Sequence, residues 1–175
     1  MEFELTPAVS LYTGTFNALI APEELVLTAI TSPKNSKYSL LYLAGPVSGI
    51  LPALVRPPGT MEIRRVVSPL HLAREIRAAQ HTTVFIEHDP SLYDNDEDTV
   101  PPARAMAEGA GGTVMVIYTP KNDTRFDLVL PYADRVYFFR KPPVPDRRPV
   151  DRKRTCRNER GRGQCTLGGF DAGGA

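Results

Sequence analysis

The chain has no tryptophan, only two cysteines in 175 residues, and no apolar run of the length a membrane span requires. Both cysteines, Cys156 and Cys165, lie in the last twenty positions. No disulfide framework can therefore hold the body, and a reducing, cytoplasmic setting is expected. No second Cys/His pair lies near Cys156 and Cys165 to complete four ligands, so no metal centre is expected. The opening residues MEFELTP are acidic and lack the apolar stretch of a secretory leader, so none is expected. Net charge is also small, +1 overall.

That near-neutrality hides an asymmetry. Residues 1–139 hold 11 Lys+Arg against 16 Asp+Glu, a net of −5, while residues 140–175 hold 10 against 4, a net of +6. An acidic body with a basic arm suits a tail that meets a polyanion or an acidic protein surface. The expected organisation is a globular domain over residues 1–140, a basic Pro/Arg-rich linker over 141–163, a short motif over 164–170 and a terminus over 171–175. From Lys141 onward the composition is rich in Pro and Arg and poor in apolar residues, so disorder is expected. Arg147, Arg148, Arg152, Lys153, Arg154 and Arg157 are the candidates for sequence-independent contact with DNA phosphates, with a solvated linker as the plain alternative.

The body alternates strand-length apolar runs with helical patterns. The runs are Leu25–Ile30, Tyr38–Ala44, Met61–Val67, Thr82–Glu87, Thr113–Tyr118 and Arg135–Phe139. They are rich in Val, Ile, Leu and aromatics, as strands buried on both faces are. Ser68 reads as an N-cap, with Pro69 at the first helical position and Leu72 and Ile76 on one face. A second helix is expected from Pro101 to Glu108. A third is expected from Thr124 to Tyr132, capped by Asn122 or Asp123, with Pro131 able to close it early. Residues 3–27 read as an antiparallel flap with a turn near Gly14 or Pro22. The expected fold is α/β, three-layered, on a mostly parallel sheet.

In such sheets, sites form at the carboxyl ends of strands. One candidate end is Tyr38–Gly49, a strand running into a Gly-containing turn. It is the setting of a phosphate loop, but Ile50 and Leu51 stand where Lys and Ser/Thr are needed, and Pro46 removes an N–H. The other is Thr82–Asp89, an apolar strand ending in Glu87, His88 and Asp89. Glu87 and Asp89 are the weak catalytic candidates, as carboxylates able to orient Mg²⁺ and water. Asp94, Asp96, Glu97 and Asp98 lack the Gly and distant Glu of a calcium loop and read as a solvated acidic loop. Lys34 and Lys37 read as an ordinary surface turn. His71 and His81 show no ligand spacing.

The apolar strand ending in acids resembles a Walker B strand. With Val114–Pro120 and Ala133–Tyr137 as later strands, the body resembles a degenerate RecA-like P-loop NTPase core that has lost its phosphate loop. The resemblance would imply ATP and Mg²⁺ as ligands only if Glu87 or Asp89 serves an ATPase or phosphohydrolase. Without the Walker lysine, a non-enzymatic body is the preferred expectation, with no cofactor.

The segment Gln164-Cys165-Thr166-Leu167-Gly168-Gly169-Phe170 carries a second resemblance. Leu167 and Phe170 are three apart, so one helical turn sets both on one side as apolar anchors, and the Gln164 amide supplies directional hydrogen bonds. The spacing Gln-x-x-Leu-x-x-Phe is similar to the PIP box by which replication and repair proteins dock on the sliding clamp PCNA. The resemblance implies Gln164, Thr166, Leu167 and Phe170 as partner-binding residues. It also implies a role in DNA replication or repair, in an archaeal and nucleoid-associated setting.

Overall fold

Strands that are apolar on both faces need cover on both faces, and the chain supplies it. The computed structural model describes residues 2–54 and 57–139. Six parallel strands form the central sheet: β3 (Thr15–Ile20), β4 (Leu40–Ala44), β5 (Met61–Arg65), β6 (Thr83–Glu87), β7 (Val114–Thr119) and β8 (Arg135–Phe138). They lie side by side in the order β5-β4-β6-β7-β3-β8. The register is continuous across the middle: Tyr42 faces Phe85, Phe85 faces Val116, and Val116 faces Asn17. All residues of β4, β6 and β7 are buried.

One face carries α1 (Glu23–Thr31) and an antiparallel hairpin of β1 (Glu2–Thr6) and β2 (Val9–Tyr12). Phe3, Leu11, Val26, Ile30, Tyr42, Phe85 and Tyr118 form its core. The other face carries α2 (Pro69–Ala78), α3 (Val100–Gly109) and α4 (Thr124–Val129), packed on Leu43, Val84, Ile86, Met115 and Ile117. The three-layer α/β architecture is thus as expected from the apolar runs.

Three expectations fail. Met61–Arg65 and Arg135–Phe138 are not buried on both faces but are the two edge strands, with largely exposed residues. Leu25–Ile30 is not a strand but the body of α1. Its buried residues Val26, Ala29 and Ile30 recur at helical spacing, and Glu23 and Glu24 occupy the first turn, where the helix dipole favours acids. The N-terminal flap is shorter than expected. It ends at Tyr12, and Thr15–Ile20 instead enters the main sheet between β7 and the edge strand β8. The turn does fall at Gly14, whose φ of +84° suits glycine. Its N–H donates to the Thr113 carbonyl at 3.0 Å and leads the chain into the sheet.

The helix signals hold. Ser68 Oγ accepts from the His71 N–H at 3.2 Å, and Pro69 opens α2. Of the two cap candidates for α4, Asp123 is the cap, accepting from the N–H groups of Arg125 and Phe126. Residues 130–132 tighten into a 3₁₀ turn around Pro131.

The strand order positions the site. From β3 the chain runs outward to β4 and β5, then reverses and returns through β6, β7 and β8. Right-handed crossovers put the outbound connections on one face and the returning ones on the other. Ile50 and Leu54, after β4, pack on the α1 side, whereas Leu92 and Tyr93, after β6, pack on the α2–α4 side. The outgoing chain therefore diverges between β4 and β6, and again between β7 and β3. A crevice opens at such a divergence.

Candidate functional site

A cleft of about 610 Å³ lies at the carboxyl ends of β3, β4, β6 and β7. Glu23 contributes from the start of α1, Val47 and Gly49 from the loop after β4, and Glu87 to Ser91 from the end of β6 and beyond. Thr119 to Asp123 complete it after β7. Both strand ends singled out in the sequence meet here.

Glu87 is buried, and its carboxylate is fully engaged. Oε2 accepts from the Tyr42 hydroxyl at 2.7 Å and from the Ser48 hydroxyl. Oε1 accepts from the Gly49 N–H at 2.7 Å and more distantly from the Ile50 N–H at 3.4 Å. Four donors match the four lone-pair sites of a carboxylate. Burial, and then the Glu87 charge, push the Tyr42 phenol far above its usual range, so it stays a donor.

Asp89 is equally committed. Oδ2 accepts from the Val47 N–H at 2.8 Å, and Oδ1 accepts from the N–H and hydroxyl of Ser91 at 2.9 and 2.6 Å. The amides of Val47, Gly49 and Ile50 are those a phosphate cradle would present. In this protein they point at two of its own carboxylates. The loop that looks like a degenerate phosphate loop is a loop laced to the end of β6.

His88 stands between these acids in sequence but faces the opposite layer. Its side chain is fully buried, 5.7 Å from the Tyr93 ring and 5.2 Å from the Phe126 ring between centroids. Nε2 lies 3.1 Å from Asp123 Oδ2, while Nδ1 is buried without a partner. Burial lowers the His88 pKa from its usual 6.5, outweighing the opposing pull of Asp123. The imidazole is therefore neutral near pH 7, and Nε2–H donates to Asp123. Asp123 was legible as a helix cap but not as a histidine partner, because 35 residues separate the two. Glu23 was missed because Leu25–Ile30 read as a strand.

The remaining candidates fall elsewhere. Lys34 pairs with Glu4 at 2.8 Å, and Lys37 lies over the Tyr38 ring. His71 and His81 approach Glu75 and Glu62. Asp98 binds the N–H groups of Asp94 and Asn95 as part of a capping box. Among the described residues no group of three or more His, Cys, Asp or Glu is placed to hold a metal ion. Nor is any helix there long and apolar enough to cross a membrane. Arg147, Arg148, Arg152, Lys153, Arg154, Arg157, Cys156, Cys165 and the motif residues Gln164, Thr166, Leu167 and Phe170 lie outside the described residues.

No protein-family model matches the chain. An uncharacterized protein from Archaeoglobus fulgidus is 30% identical over 130 residues, which cover 73% of this chain and 66% of that protein. The match thus spans just under two thirds of the relative's length, and the chain is similar to an archaeal protein over most of its own.

Proposed function

We propose that this protein is a non-enzymatic accessory factor of a PCNA-type sliding clamp in DNA replication or repair. The spacing Gln164-x-x-Leu167-x-x-Phe170 carries the reading. Phe170 buries the largest apolar area and is the principal anchor, with Leu167 beside it and Gln164 and Thr166 as polar contacts. The basic residues from Arg147 to Arg157 add attraction to DNA near the clamp. Tethering raises the local concentration of the body at the fork without tight binding by either part. Similarity to an archaeal protein agrees with an archaeal setting.

The body supports the non-enzymatic side of this reading. An ATPase or phosphohydrolase would need a free carboxylate for Mg²⁺ and free amides for phosphate. Glu87 and Asp89 bind the very amides of Val47, Gly49 and Ile50 that would serve. A body that resembles a P-loop core, with its own carboxylates where phosphate would bind, fits a binding module better than a catalyst.

Calorimetric titration of the cognate clamp with the intact protein and with Phe170→Ala tests the proposal. The expected result is micromolar affinity that Phe170→Ala abolishes. Absence of binding by the intact protein, or equal binding by the variant, overturns it.

A further inference from the structure

We propose that β5 is the dimerisation edge of the body, pairing antiparallel with β5 of a second copy of this chain about a two-fold axis at Ile63. The inference concerns the body alone and does not depend on the clamp reading.

The backbone supplies the first observation. β5 ends the six-stranded sheet, and among the described residues no strand pairs with its outer side. In a ladder, alternate residues aim their N–H and C=O groups at the same neighbour. The Leu40 N–H donates to the Thr60 carbonyl at 3.0 Å, and the Val66 N–H donates to the Ala44 carbonyl at 2.9 Å. The even-numbered residues from 60 to 66 therefore face β4, and Met61, Ile63 and Arg65 turn their backbone groups outward. The Met61 N–H is held by the Pro58 carbonyl at 2.9 Å, which leaves Ile63 at the centre of the open stretch. Such an edge is a template for one more strand.

The side chains supply the second observation, and it selects the occupant. The strand reads Met61-Glu62-Ile63-Arg64-Arg65, with an acid one step before Ile63 and a base one step after it. Antiparallel pairing about Ile63 sets Glu62 opposite Arg64 of the second copy, and Arg64 opposite its Glu62. The two Ile63 residues exchange both backbone bonds. The two Glu–Arg pairs fall at the non-hydrogen-bonded positions, where cross-strand side chains stand closest. An axis at Glu62, Arg64 or Arg65 would set like charges opposite each other instead. Charge thus fixes the register, and the same patch serves both copies, as a two-fold contact requires.

The surroundings agree. Glu62 and Arg64 share one face of the sheet, where they pair at 2.6 Å, and Arg64 also reaches Glu75 of α2 at 2.7 Å. A second copy extends this alternation of charge across the edge. Uniform charge or a proline would block the pairing, and β5 has neither. Ile63 is 38% exposed, and Val67, just past the strand, is 74% exposed. The opposite edge, β8, carries Arg135 and no acid to match it.

Sedimentation equilibrium of the full-length protein tests the proposal. The parent is expected to dimerise with micromolar affinity. Glu62→Arg sets arginine against arginine at both positions, and Arg64→Glu sets glutamate against glutamate. Each variant alone is expected to dimerise at least about tenfold more weakly. Mixed in equal amounts, the two restore opposite charges at both positions and are expected to form a mixed dimer. Ile63→Pro removes the outward N–H and spares the bonds to β4, so it is expected to be monomeric with an unchanged circular dichroism spectrum. If the proline unfolds the edge, the two charge variants decide alone, since both side chains are half-exposed. A parent that stays monomeric up to millimolar concentration, a folded Ile63→Pro that still dimerises, or a mixture no more dimeric than its components each overturns the inference. None of these outcomes bears on the clamp titration, which reads Phe170.

Discussion

The backbone of Gly45 runs against the side chain of Asp89, so that a Cβ at position 45 would stand 2.6 Å from the Asp89 Cβ and 2.8 Å from its Cγ. Asp89 cannot swing away, because its carboxylate is bonded to Val47 and Ser91. Gly45→Ala is expected to cost about 2–3 kcal/mol, as overpacking does where neighbours are fixed. Urea denaturation measures it, with Gly59→Ala, where a Cβ meets open space, as the comparison.

Glu87 holds the 48–50 loop by three hydrogen bonds and accepts a fourth from Tyr42 of β4, and this makes its loss structural. In Glu87→Gln one oxygen becomes an NH₂ that faces either two hydroxyls or two amide N–H groups. The expected destabilisation is about 2–4 kcal/mol, since buried donors lose their acceptor. Tyr42→Phe removes one of four donors and is expected to cost about 1 kcal/mol. Chemical unfolding of both variants checks the order. Glu87→Gln as stable as the parent would show that the carboxylate braces nothing.

His88 makes stability depend on pH with a defined sign. Its folded pKa lies below the unfolded 6.5. As pH falls through the unfolded value, the unfolded chain takes up a proton that the folded site resists, so stability falls on acidification and is restored above about pH 7. His88→Gln, which keeps an N–H for Asp123, is expected to show a shallower fall in urea midpoint between pH 7 and pH 5. Parallel slopes in parent and variant would remove His88 from the account.

The helix caps differ in how much each one serves. Ser68→Ala removes one cap bond from α2 and is expected to cost about 1 kcal/mol. Asp123→Ala removes two cap bonds from α4 and also the acceptor of the buried His88, and is expected to cost about 2–4 kcal/mol. Thermal melts of the two variants side by side give the comparison.

Much of the fold was legible where one local rule acted alone. Thr83–Glu87 and Val114–Thr119 are unbroken apolar runs bounded by turn residues, and α2 carries both its serine cap and its proline. The reading failed where two rules competed. Leu25–Ile30 has strand length and composition, yet Val26, Ala29 and Ile30 keep helical spacing, and the acids Glu23 and Glu24 before them were the overlooked signal. Thr15–Ile20 hid because Asn17 interrupts it. Asn17 is fully buried, and its amide donates to the Thr15 and Met115 carbonyls. Those donor bonds keep it in an inner strand although its Oδ1 is buried without a partner, and the Met115 carbonyl lies 98 residues away.

The candidate site divides in the same way. The sequence by itself determined that acids end β6, that the loop after β4 lacks a phosphate-binding lysine, and that a Gln-x-x-Leu-x-x-Phe segment follows a basic stretch. These are properties of residue type and spacing. Only the tertiary structure decided that Glu87 and Asp89 bind the loop from residues 47 to 50, that His88 turns away to Asp123, and that Glu23 joins them. The reason is the strand order. Connections that diverge on opposite faces bring the ends of β3, β4, β6 and β7 to one crevice, and hydrogen-bond partners chosen across such distances leave no mark in local sequence.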